Sequence, residues 1–294
     1  MHEHHTHSHN STPEAIDSKF VIGICLNLIF LIAEIVAGLI YNSMALLTDA
    51  GHNASDVASL LLSLIAFRLA RKKSTSQFTY GFKKTTVLAA LANAVVLLIA
   101  IGILGVESIS RLLKPQPVQG EIIAWIAGAG ILINSISAYL FYSHKEKDLN
   151  AKAAYLHLLS DALVSLGVVA AGIVMSYTGW YWLDPAIGLV IMVVILISTW
   201  SLLRDSFRMT IDAVPSGLEL EKVKRIILQV RHVQQVGHVH VWPLSTTENA
   251  LTAHVAIDEK LNFEEKLKVV ENIKHELLHH DIHHSTIELG KVVT

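Results

Sequence analysis

The chain has 294 residues, of which 52% are hydrophobic and only 16% charged, and its formal net charge is −2. Typical globular domains are about 25% charged, so this composition excludes an ordinary soluble domain, and the near-neutral balance excludes the strongly basic face of a nucleic-acid binder. A single cysteine, Cys25, excludes an intramolecular disulfide framework and a thiolate-rich metal cage. That leaves histidine, at 17 residues, as the unusual component.

Residues 1–19 form a His-rich tail that opens MHEHHTHSHNST. It is polar, has nothing to bury and is expected to be disordered. It lacks the basic and apolar regions of a cleaved signal peptide. Six apolar segments follow: Phe20–Ile40, Met44–Ala70, Thr85–Val106, Ile122–Tyr142, Ala153–Ser176 and Pro185–Leu203. Each is about 20 residues or longer, enough for a helix to cross about 30 Å of hydrocarbon. Residues 20–209 are therefore read as a six-helix transmembrane domain.

Arg68, Arg71, Lys72, Lys73, Lys83 and Lys84 lie between the second and third segments, and Lys145, Lys147 and Lys152 between the fourth and fifth. The opposite connections hold only Arg111 and Lys114. By the positive-inside rule both termini face the cytoplasm, and the bacterial look of the chain places it in the cell (inner) membrane. Beyond about Thr210 the pattern changes. Leu218–Arg231 and Phe263–His280 read as helices, and Val236–Leu244, Leu251–Asp258 and Ile282–Leu289 alternate as strands. Residues 210–294 are expected to form a small α+β cytoplasmic domain of ferredoxin-like order.

The second segment contains Asp49, His52 and Asp56, and the fifth contains His157 and Asp161. Such groups cost about 2.5–3.5 kcal/mol each at a helix centre on insertion scales and are functional candidates by default. His52 and Asp56 are four residues apart, as are His157 and Asp161, so each pair occupies one face of its helix. If the two helices meet, two imidazoles and two carboxylates form a tetrahedral set suited to zinc. Two carboxylates also neutralise one divalent ion. After the ion leaves, two like charges in low dielectric disfavour joint ionisation, so protons enter and the site exchanges metal for protons. Asp49, near the expected end of its helix, suits a capping or interface role as well as it suits metal binding. Asn27, Glu34, Asn93, Glu107 and Asn134 are expected to make packing hydrogen bonds.

His275-Glu276-Leu277-Leu278-His279 spells the HExxH of zinc proteases. The apolar residues Val270, Ile273 and Leu277 turn both histidines toward solvent, whereas a protease needs them in a dry cleft with a third ligand. The chain is read as a transporter, not an enzyme.

TDAGHNASD, FTYGFKKTTVLAAL, LNAKAAYLHLLSDAL, VHVWPLS and LTAHVAID, in that order, resemble the motifs of the cation diffusion facilitators, specifically their bacterial zinc-exporting branch. The resemblance runs from about residue 20 to 290. It implies a homodimer in a lipid bilayer that exports Zn(2+) by alternating access against inward H(+) flow, with cadmium or cobalt as alternative cargoes. It places the transport ligands on His52, Asp56, His157 and Asp161, with His52 standing where manganese and iron branches usually carry a carboxylate. It places cytoplasmic zinc ligands on His240, His254 and His283, although Val236 and Gly237 stand where many relatives have histidine. Two residues apart on one strand, His238 and His240 share a face. The resemblance also implies a charge pair, Lys84 with Asp212, between the basic loop and the cytoplasmic domain. Many relatives carry an acidic residue near Thr86, and this chain departs from them there.

Overall fold

A computed structural model describes residues 18–142 and 149–290, without the side chains of 18–26, 60, 140–141 and 149–154. The histidines of the tail and Lys145, Lys147 and the side chain of Lys152 lie outside the described residues. The long helices are α1 Ser18–Ile40, α2 Met44–Ala70, α3 Thr85–Leu113, α4 Gly120–Tyr142, α5 Leu149–Thr178 and α6 Leu183–Thr210. Five of them are long and apolar enough to cross a membrane, and Asn27–Ile40 of α1 is a shorter apolar helix. Their outward faces carry Ile29, Leu39, Ile103, Trp125, Leu132 and Ile197 in the open. Water would penalise that surface heavily, but lipid does not. The chain is a membrane protein.

Several helices outrun the apolar segments that announced them. α3 continues past Val106 to Leu113 because its last turns are held by polar bonds rather than apolar burial. The Arg111 Nε donates to Glu107 Oε1 at 2.7 Å, and its Nη1 donates to the Asn42 carbonyl at 2.7 Å. Glu107 is thus an i,i+4 partner on its own helix, not an interhelical packing group.

Two compact units emerge. The first contains α1, α2 up to Ala54 and Ala100–Ile195. Small residues let its helices approach closely. A Cβ on Gly120 would stand 2.5 Å from the Gly172 carbonyl, and one on Gly172 would stand 2.7 Å from the Gly120 carbonyl. Either added methyl would force α4 and α5 apart. Asp184, at the start of α6 and 1% exposed, caps the start of α2. It accepts from Ser43 Oγ at 2.5 Å, Met44 N at 2.6 Å and Ala45 N at 3.3 Å. These N–H groups have no partner within their own helix, so the cap fixes where α2 begins.

The second unit contains Ser55–Ile99 and Leu196 onward. After α6 come α7 Leu220–Leu228, β1 Val233–Pro243, β2 Asn249–Ile257, α8 Phe263–Leu278 and β3 Ile282–Leu289. The sheet order is β1-β2-β3, with β1 and β2 antiparallel and β2 and β3 parallel. The parallel pair requires a crossover, which α8 supplies. Val223 and Ile227 of α7 and Val269, Ile273 and Leu277 of α8 bury against Val239, Val241, Leu251, Val255 and Ile282. The buried stripe of α8 therefore starts at Val269. Val270, named from the sequence, is only half-buried, because an i, i+4, i+8 stripe fits a flat sheet better. Asn262 and Glu265 form a reciprocal capping box at the start of α8. α7 is shorter than the expected Leu218–Arg231, since Pro215 and Gly217 delay its start.

Candidate metal centre

In the first unit, α2 and α5 meet along faces carrying polar groups. Asp161 is 6% exposed and presents one oxygen to each of two imidazoles. His52 Nε2 lies 3.6 Å from its Oδ1, and His157 Nε2 lies 3.6 Å from its Oδ2. The two rings stand edge to face with centroids 5.9 Å apart. One ligand atom from each of the three residues lies within 4.8 Å of the others.

These separations decide between two chemistries. At 3.6 Å an N···O contact is too long to be a hydrogen bond. Metal–ligand bonds of about 2.0–2.2 Å at tetrahedral angles put neighbouring ligand atoms roughly 3.3–3.6 Å apart. Each 3.6 Å contact has the length of such an edge, to a different oxygen of Asp161, and the three residues taken with one atom each span up to 4.8 Å. Asp56 follows His52 by one turn on α2.

A further polar layer lies one turn away. Ser165, one turn after Asp161, donates to Asp49 Oδ2 at 3.4 Å. Asn53 donates to Glu34 Oε2 at 3.2 Å. Asp49 thus faces α5 in the second turn of α2 and is not a helix-end group. Elsewhere Asn27 donates to Ser137 at 3.4 Å, and Asn93 to Ser59 at 2.5 Å, as interhelical packing bonds.

In the second unit, Lys84 Nζ donates to Asp212 Oδ1 at 2.5 Å and to the Pro243 carbonyl at 2.9 Å. Two contacts beside this pair have no counterpart among the sequence expectations. Lys83 is paired with Glu248, and Thr86 Oγ1 accepts from Thr246 N at 3.1 Å. Thr86 therefore anchors the β1–β2 turn to the start of α3 through its hydroxyl. The KKTT string marked the location, but its partners lie about 160 residues away, beyond the reach of any local pattern.

The cytoplasmic histidines only partly assemble. His238 lies in a bulge, at φ 50, where the β1–β2 register shifts between Gly237 and His240. Histidine is among the residues that tolerate this left-handed region. Its ring centroid is 4.8 Å from that of His240 and 4.8 Å from that of His254. His254 Nε2 is also 3.3 Å from Glu288 Oε2. The structure does not bring His283 to this group. In the parallel register Glu288 stands beside His254, five residues further along β3, roughly 16 Å at a strand's rise. His283 instead places Nδ1 3.0 Å from the Asp281 carbonyl.

His275 and His279 are exposed on α8, opposite its buried stripe, with ring centroids 4.8 Å apart. They lack the dry cleft a protease requires.

Residues 20–209 match the family model described as the cation efflux transmembrane domain, and residues 215–289 the one described as the cation efflux protein, cytoplasmic domain. The chain is 34% identical to the zinc transporter ZitB of Escherichia coli (strain K12), covering 97% of this chain and 92% of that protein. It is 35% identical to the metal cation efflux system protein CzcD of Cupriavidus metallidurans, covering 97% and 89%. It is 32% identical to the cadmium, cobalt and zinc/H(+)-K(+) antiporter of Bacillus subtilis (strain 168), covering 96% and 91%. Together with the membrane helices and the intramembrane cluster, these matches show that the chain belongs to the cation efflux (cation diffusion facilitator) family, whose members are transporters and not enzymes.

Proposed function

We propose that the protein exports zinc from the cytoplasm, exchanging each ion for protons at His52, Asp56, His157 and Asp161. The observation that carries this reading is the way Asp161 is shared between His52 and His157 at tetrahedral-edge spacing. Asp56 completes the set by its place one turn beyond His52. The names of the relatives support zinc first, with cadmium and cobalt as alternatives. Two imidazoles and two carboxylates hold one divalent ion at near-neutral net charge, and the emptied site takes up protons instead. Exchange at one site is the simplest coupling a pump can have.

In this reading both termini are cytoplasmic in the inner membrane. The protein acts as a homodimer through residues 210–294. Within that domain, His240 and His254, joined by His238, form a secondary zinc site on the sheet.

Purified protein in vesicles tests the coupling. A proton gradient, acid inside, is expected to drive zinc uptake several-fold above the rate without a gradient, and collapsing it with a protonophore should return the rate to baseline. Zinc flux indifferent to the gradient would identify a passive channel. Zinc bound without any flux would identify a storage or sensing protein.

A further inference from the structure

His275 and His279, the histidines of the HExxH string, stand four residues and one turn apart on the exposed face of α8. Ile273 and Leu277 anchor the opposite face in the core, so the backbone beneath the pair is held in place. The two ring centroids are 4.8 Å apart, with the planes at 80°. Zinc–nitrogen bonds of about 2.0–2.1 Å, extended by the ring radius, hold two imidazoles with centroids roughly 4.5–5.2 Å apart at right to tetrahedral angles. The pair therefore has the separation at which one ion joins two rings. His279 is also the C-cap of α8, its N–H bonded to the carbonyls of Glu276 and Leu277. The last turn of a helix carries the negative end of its dipole, which favours a cation there. His275 lines an open groove between the end of α7 and α8, beside Asn272 and Glu276, so ions reach it from solvent.

We propose that His275 and His279 form a surface site for a divalent transition-metal ion such as zinc, separate from the intramembrane cluster and from the histidines of the sheet. Both ligands come from one helix, so nothing has to order before the ion binds. Once one imidazole is engaged, the second meets the ion at high effective concentration. Two protein ligands leave two tetrahedral positions to water. A closed shell of four protein ligands makes a structural site, whereas this half-open one exchanges its ion readily. The exposure that denies HExxH a protease's cleft suits a site that picks up and releases metal.

Carbethoxylation of histidines in the full-length protein, read by peptide mass spectrometry with zinc ions as the probe, tests the site. In wild type, zinc is expected to slow labelling of His275 and His279 several-fold at one common midpoint, while the exposed His232 reacts at an unchanged rate. In His275→Ala, protection of His279 should need at least about tenfold more zinc, because its chelating partner is gone. Alanine is favourable at an exposed helical position, so the fold is retained. A second variant combines His275→Lys with Lys274→His. It keeps the composition but sets the two imidazoles five residues apart, about 140° around the helix, and should lose protection to the same extent. His279 labelling indifferent to zinc in wild type, or protected at the same zinc concentration in either variant, would overturn the proposal. Neither result bears on transport, because no intramembrane residue is altered.

Discussion

Asp161→Ala reduces zinc uptake into vesicles to the protein-free background while the protein retains its helical content. Asp161 is the residue through which both imidazoles are organised, each sitting 3.6 Å from a different one of its oxygens. On the proposed reading its loss removes one ligand and one of two neutralising charges together. Losing a group that merely supports a metal ligand costs about 10–100-fold in affinity, so losing the shared ligand itself should exceed that range. Asp161→Asn separates charge from shape. It preserves the packing of a side chain that is 6% exposed, and it is expected to be nearly as inactive, because the deficit is charge. The check is zinc flux measured beside circular dichroism. Flux within a few-fold of wild type in either variant would remove Asp161 from the site.

Zinc affinity falls about 100-fold between about pH 7.5 and 5.5. The figure follows from exchange: where each zinc displaces about one proton from the site, affinity falls about tenfold per pH unit. On the proposed reading, protons compete with the metal for ring nitrogens, so the loss runs toward low pH. Equilibrium zinc titrations at a series of pH values check this, and His157→Ala should flatten the curve to about tenfold. A flat wild-type curve would show that imidazoles do not hold the ion.

Much of this architecture was legible in the sequence because the bilayer permits so little. A span in lipid must be a long apolar helix, so Met44–Ala70 was located to the residue. Within such a helix the i,i+4 rule aligned His52 with Asp56 and His157 with Asp161, and His52, His157 and Asp161 do converge. What the sequence could not supply was register between elements distant along the chain. The polarity of Glu34 was plain, but its bond to Asn53 depends on how α1 packs on α2. The bond from Thr246 to Thr86 depends on where the β1–β2 turn lands. Alternation along β1 correctly placed His238 beside His240, yet it could not foresee the bulge that turns His238 toward His254. The offset of His283 from His254 follows from the parallel register of β3, which no single-strand pattern encodes.

The proposed transport cycle stands or falls on one zinc ion per protomer being held inside the membrane by two imidazoles and two carboxylates. The decisive experiment is calorimetric zinc titration of the purified protein beside a variant with His52, Asp56, His157 and Asp161 all replaced by alanine. The variant should bind one ion fewer per protomer and keep any cytoplasmic binding unchanged. Identical stoichiometry and affinity in the two proteins would show that these four side chains do not hold the ion.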